Sequence, residues 1–75
     1  MKKSVSLNEF KAAMKRNKDS KADLIYTKYG YYLLTRKAQF YFRANSFIER
    51  ITITKLAKEF GYILCSQETF LTKDN

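Results

Sequence analysis

The chain predicts a small α+β domain with the order helix, β-hairpin, long helix, short helix, strand, in which an antiparallel sheet carries helices on one side. Three observations lead there. Ser6-Leu7-Asn8-Glu9 has capping-box spacing at the head of an amphipathic run. Two β-prone runs flank Lys28-Tyr29-Gly30. Apolar residues from Phe40 to Ile51 recur at helical spacing. With 75 residues there is room for one core, and 45% hydrophobic with 16% aromatic content is too high for disorder despite a net charge of +8. Residues 1–75 are expected as a single domain, with 1–5 and 73–75 frayed.

The first helix is expected over Leu7–Arg16. Leu7, Phe10 and Met14 share its buried face, and Lys11, Lys15 and Lys18 share another. Those lysines serve either as phosphate contacts or as an ordinary solvated face. Asn17–Ala22 is polar and is expected as a loop into a strand over Asp23–Thr27. Gly30 is expected to supply the positive φ of a bulged hairpin turn, with Tyr31–Leu34 as the returning strand. Tyr26, Tyr29, Tyr31 and Tyr32 crowd this hairpin, and strand alternation forbids all four from pointing into one core. Tyr29 and Tyr31 are therefore candidate partner contacts, able to stack on bases or to supply rigid protein-binding area.

Thr35 is expected to cap the long helix, Arg36–Arg50. On its wheel Phe40, Ala44, Phe47, Ile48 and Ile51 form the core stripe. Arg36, Gln39, Arg43, Ser46 and Arg50 form a second edge, gathering three of the four arginines. Arg binds carboxylate or phosphate bidentately, so Arg36, Arg43 and Arg50 are candidate partner-binding residues for either class. Phe42 falls opposite the core stripe and joins them as a candidate contact. Ile51-Thr52-Ile53 then alternates, Thr54 is expected to cap a short helix over Lys55–Phe60, and Gly61 suits its end. Tyr62–Cys65 is expected as a third strand, with Thr69–Thr72 a fourth strand or a loose segment. The expected core is Leu7, Phe10, Leu24, Leu33, Phe40, Phe47, Ile48, Ile51, Leu56, Phe60 and Ile63.

The inventory for chemistry is nearly empty: no His, one Cys and seven Asp and Glu. Acid–base catalysis near neutral pH most often recruits His, and metal or thiol sites need clustered ligands, so no enzyme, metal site or cofactor is expected. Cys65 has no disulfide partner in the chain and is expected to be a structural thiol in a cytoplasmic protein. The basic start has no apolar stretch behind it, and nowhere do about 18 apolar residues run together, so no membrane association is expected.

Two segments carry partial resemblances. Thr54–Gly61 resembles the first helix and turn of helix-turn-helix regulators, but Gln67 stands where the recognition helix needs an apolar residue. Leu24-Ile25-Tyr26 with Tyr31-Tyr32-Leu33 resembles the paired tripeptides of GIY-YIG nucleases without their glycines. Glu49, Glu59 and Glu68 fall on different predicted elements, so no nuclease activity is expected.

A binder remains. Net charge of +8 favours nucleic acid or an anionic surface. Yet Phe, Tyr, Met, Ile, Asn and Lys, whose codons are AT-rich, outnumber Gly, Ala, Arg and Pro by 34 to 12, which inflates Lys without selection for phosphate. Such bias is common in phages and mobile elements. The first expectation is a stoichiometric protein-binding module, an inhibitor or adaptor of a larger protein with an acidic or apolar surface. The second is a basic DNA- or RNA-binding accessory protein. A homodimer is expected, because an isolated core of this size supplies only about 3–5 kcal/mol.

Overall fold

The structure is a computed structural model that describes residues 2–72. Met1 and residues 73–75, with the fraying expected of them, lie outside the described residues. In chain order the elements are β1 (Lys2–Ser4), α1 (Leu7–Arg16), β2 (Asp23–Tyr26), β3 (Gly30–Leu34), β4 (Gln39–Arg43), α2 (Phe47–Phe60), β5 (Leu64–Ser66) and α3 (Gln67–Thr72). The α+β class stands, while the middle of the chain and its two ends are arranged differently from expectation.

Local chemistry fixes α1 as the sequence predicts. The Ser6 hydroxyl accepts the Glu9 N–H at 3.2 Å, and the Glu9 carboxylate accepts the Ser6 N–H at 3.0 Å. These bonds satisfy two of the donors left over at a helix start. Phe10, Ala13 and Met14 turn inward.

The long helix over Arg36–Arg50 does not form. Thr35 instead closes a turn: its hydroxyl accepts the N–H groups of Lys37 and Ala38 at 3.3 and 3.0 Å. Thr27 does the same one turn earlier, accepting from Tyr29 and Gly30 at 3.0 Å each. A Thr hydroxyl satisfies turn amides as readily as helix-start amides, so Thr35 alone does not distinguish the two. Gln39–Arg43 then runs as β4, and alternation sends Phe40 and Phe42 to the helix-covered face while Tyr41 takes the other. The helix starts at Ser46, whose hydroxyl accepts the Glu49 N–H at 3.2 Å while the Glu49 carboxylate accepts the Asn45 N–H at 2.7 Å. It continues unbroken to Phe60, so Thr54 caps nothing and donates to the Arg50 carbonyl at 2.9 Å. Gly61, at φ +83°, ends it as expected.

Both ends also differ. Residues 2–4, expected to fray, pair parallel to β4 in the register Lys2 with Gln39, Lys3 with Phe40 and Ser4 with Tyr41. The third predicted strand begins later, at Leu64, and residues 67–72 form a helix. The strand entered after Gly61 excludes a helix-turn-helix there.

The five strands lie in the order β1-β4-β3-β2-β5. An antiparallel meander, β2-β3-β4, fills the centre, and β1 and β5 join its edges in parallel, so the sheet is mixed rather than antiparallel. The crossovers β1-α1-β2 and β4-α2-β5 traverse the sheet in the same direction, and a common right-handed sense sets both helices on one face. There Phe10, Ala13 and Met14 of α1 meet Leu24, Tyr31, Leu33 and Phe42 of the sheet and Ile53 and Ala57 of α2. Tyr62 closes one border: its O–H donates to the Met14 carbonyl at 2.8 Å, and burial, with the nearby Asp19 charge, pushes the phenol pKa up.

Helices are not confined to that side. Ile25 alternates with the core residue Leu24, is buried, and lines a hollow with Tyr32, Leu34, Phe70 and Leu71, so α3 covers part of the opposite face. Of the expected core, Leu7, Phe40, Leu56 and Phe60 pack partly buried around the centre. Phe47, Ile48, Ile51 and Ile63 do not belong to it: they are 76%, 75%, 40% and 88% exposed.

Candidate functional site

The β2–β3 turn, the end of β4 and the start of α2 meet at one end of the molecule. The Ala44 N–H donates to the Tyr29 carbonyl at 3.1 Å, tying the chain after β4 to the turn. One guanidinium nitrogen of Arg50 donates to the carbonyls of Thr27 and Lys28, at 3.1 and 2.6 Å, tying α2 to the same turn. The guanidinium also lies 5.5 Å from the Tyr31 ring centroid, and the Tyr31 O–H donates to the Arg50 carbonyl at 3.3 Å. Arg50 thus has a structural task that its place in the sequence does not disclose.

These ties create a face. On α2, Phe47, Ile48, Ile51, Lys55 and Lys58 fall within about a 100° arc, and all five are exposed. Its N-terminal half is apolar and its C-terminal half cationic. Beside it stands Tyr29, with the Lys28 ammonium and the Arg43 guanidinium each 6.0 Å from its ring centroid. Between turn and helix lies an open hollow of about 310 Å³ lined by Lys28, Ala44, Asn45, Ser46, Phe47 and Arg50. The adjoining acid, Glu49, uses its carboxylate to hold the Asn45 N–H.

The predicted site residues divide. Arg43, Arg50 and Tyr29 come together at this end, though through a strand, a helix and a turn and not along one helix edge. Arg36 sits in the β3–β4 turn, at the opposite end of the meander, so the three-arginine stripe does not exist. Phe42 and Tyr31 are buried at 4% and 2% exposure, which withdraws both from any surface a partner could touch. Phe42 packs on Phe10, ring centroids 5.8 Å apart, because β alternation and not a helical turn sets its direction. Lys11, Lys15 and Lys18 lie on or just after α1; Lys11 is half-buried and the Lys18 ammonium lies 5.9 Å from the Phe60 ring centroid.

The residues that sequence reasoning missed are Phe47, Ile48 and Ile51, which it assigned to the core. The signal was present: Ser46-Phe47-Ile48-Glu49 repeats the Ser-x-x-Glu spacing of Ser6–Glu9 and starts the helix eleven residues later than expected. With that start Phe40 and Ala44 leave the helix, and Ile53 and Ala57 are its inward residues.

Among the described residues no group of three or more His, Cys, Asp or Glu could hold a metal ion, and no helix is long and apolar enough to cross a membrane. The chain matches no protein-family model, no curated protein and no solved structure.

Proposed function

We propose that this chain is a small, non-catalytic protein-binding module that docks through the outward face of α2. It acts stoichiometrically in the cytoplasm as an inhibitor or adaptor of a larger protein, in the manner of small phage and mobile-element products. One observation carries this reading: Phe47 and Ile48 stand side by side, three-quarters exposed, on a well-capped helix, with Ile51 one turn on. A folded monomer gains nothing from presenting them to water, and contiguous exposed apolar surface of this kind marks interaction sites. Depth and rigidity favour the same use, since Ser46 and Glu49 fix the helix start and Arg50 locks it to the sheet.

The cations support a nucleic-acid reading less well. Arg36 lies at the far end of the meander, Arg50 already holds two carbonyls, and the α1 lysines belong to another element. A homodimer is also less favoured, because Phe42 is buried and offers a second copy no contact, and two copies of a +8 chain repel.

The test is capture from a lysate of the source cell with the immobilised protein, with and without nuclease, beside an Ile48→Asp variant. A retained protein that survives nuclease and is lost with Ile48→Asp is the expected result. Material that vanishes on nuclease treatment would move the function to DNA or RNA binding, and capture unchanged by Ile48→Asp would remove the α2 face.

A further inference from the structure

Resting on that reading, we infer the chemistry of the partner: the α2 face receives an acidic amphipathic helix of another protein. Its apolar stripe lies on Phe47, Ile48 and Ile51, and its carboxylates meet Lys28, Arg43 and Lys55.

Cations neighbour an apolar centre on this face, which calls for a partner of complementary charge. Lys28 shares a hollow with Phe47, Arg43 at the end of β4 shares the Tyr29 ring with Lys28, and Lys55 and Lys58 follow on the exposed arc of the helix. Burying the apolar centre desolvates the nearest of these, and a cation brought out of water needs an anionic partner to offset the cost. The hollow beside Phe47 is bounded by Lys28, whose ammonium can meet a carboxylate next to an apolar anchor. Among the described residues two exposed acids lie near these cations: Glu59, at the C-terminal end of α2 about three turns from Phe47, and Glu68, which lines a second hollow with Lys28 and Arg50. A partner crossing the N-terminal half of α2 avoids Glu59.

Extent decides the kind of partner. Three apolar residues on one helix are far fewer than the roughly 20–30 residues a side of a standard interface, so they suit a single docking helix rather than a broad globular surface. A bilayer or a duplex presents charge over a whole plane or along a whole strand, and would also meet Glu59. A second copy of this chain would bring Lys55 and Lys58 against the same cations.

The experiment uses the full chain and a fluorescently labelled 18-residue peptide with Leu at helical spacing on one face and Glu on the other. Three controls accompany it: the same peptide with every Glu replaced by Gln, a scramble of identical composition, and a 20-base-pair DNA duplex. Vesicles containing phosphatidylserine and light scattering of the protein alone complete the set. The acidic amphipathic peptide should bind at least tenfold more tightly than the Gln peptide and the scramble. Ile48→Ser and the charge reversal Lys28→Glu should each weaken it tenfold or more while the far-UV circular dichroism stays unchanged.

Equal binding of the scramble would reduce the contact to net charge and overturn the inference. So would equal binding of the Gln peptide, tighter binding to duplex or vesicles, or a dimer that Ile48→Ser abolishes. No peptide binding alongside nuclease-resistant, Ile48-dependent capture from lysate would overturn the partner chemistry alone. Failure of both would remove the docking face itself.

Discussion

Gly30 opens β3 and Gly61 ends α2, and each is a glycine for a different reason. Gly61 has φ +83° and open space around its Cα, so a methyl group there meets only backbone strain. Gly30 lacks a positive φ, contrary to the sequence expectation; a Cβ there would collide with the Phe42 carbonyl oxygen across the hairpin. Gly61→Ala should therefore cost about 1 kcal/mol. Gly30→Ala should cost about 3 kcal/mol, because backbone on β4 must move. Paired urea titrations test the order, and equal costs would contradict the close approach of β3 to β4. Phe42→Ala, in the core against Phe10, should cost about 3–5 kcal/mol, where a surface Phe would cost almost nothing. Gly61 was legible in sequence because its demand is set by the adjacent helix end. Gly30 and Phe42 were not, because their surroundings come from strands paired only in the folded chain.

At the scale of elements, α1 shows a purely local code at work. Hydrogen bonds from the Ser6 backbone and side chain, aided by the Lys3 charge, hold the Glu9 carboxyl below its ordinary value of 4.5. A carboxylate lowered in this way adds stability that is complete above the unfolded value and is lost as pH falls through the lower, folded one. The stability of the protein should therefore carry an acid-side slope between those two values that Glu9→Gln removes; acid titration followed by circular dichroism measures it. Ser6→Ala should cost about 1 kcal/mol at neutral pH.

The region from Thr35 to Ile51 was ambiguous in sequence for a definite reason. Its aromatic and aliphatic positions satisfy a helical period through Phe40, Ala44, Phe47 and Ile51, and a strand period through Phe40 and Phe42. The strand wins because β3 on one side and β1 on the other take up the hydrogen bonds of β4, and β1 is supplied by residues expected to fray. The same error hid the docking face: Phe47, Ile48 and Ile51, set on one wheel with Phe40 and Ala44, were placed in the core. Tyr29, Arg43 and Arg50 do lie at one end of the molecule, but through a turn, a strand and a helix that the helical phase joining Arg43 to Arg50 in the sequence does not describe.

At the scale of the whole molecule, the balance of charge and exposed apolar surface sets a measurable behaviour. Between 50 mM and 500 mM salt, affinity for the partner should fall but not vanish, because the apolar centre on Phe47, Ile48 and Ile51 is not screened. Isothermal titration across that range measures it; affinity abolished by salt would point to phosphate contacts alone. The sheet has a further consequence in time. Its three central strands are neighbours in sequence, whereas β1 reaches β4 and β5 reaches β2 across separations of about forty residues, so the meander can close early and the rims must wait for both crossovers. Each rim strand is three residues long. Amide exchange should therefore be slowest in β3 and fastest in β1 and β5, and the rims should open and re-form while the centre persists. In the finished sheet the outer edges are only three residues long, which leaves little template on which a second strand could grow into an aggregate.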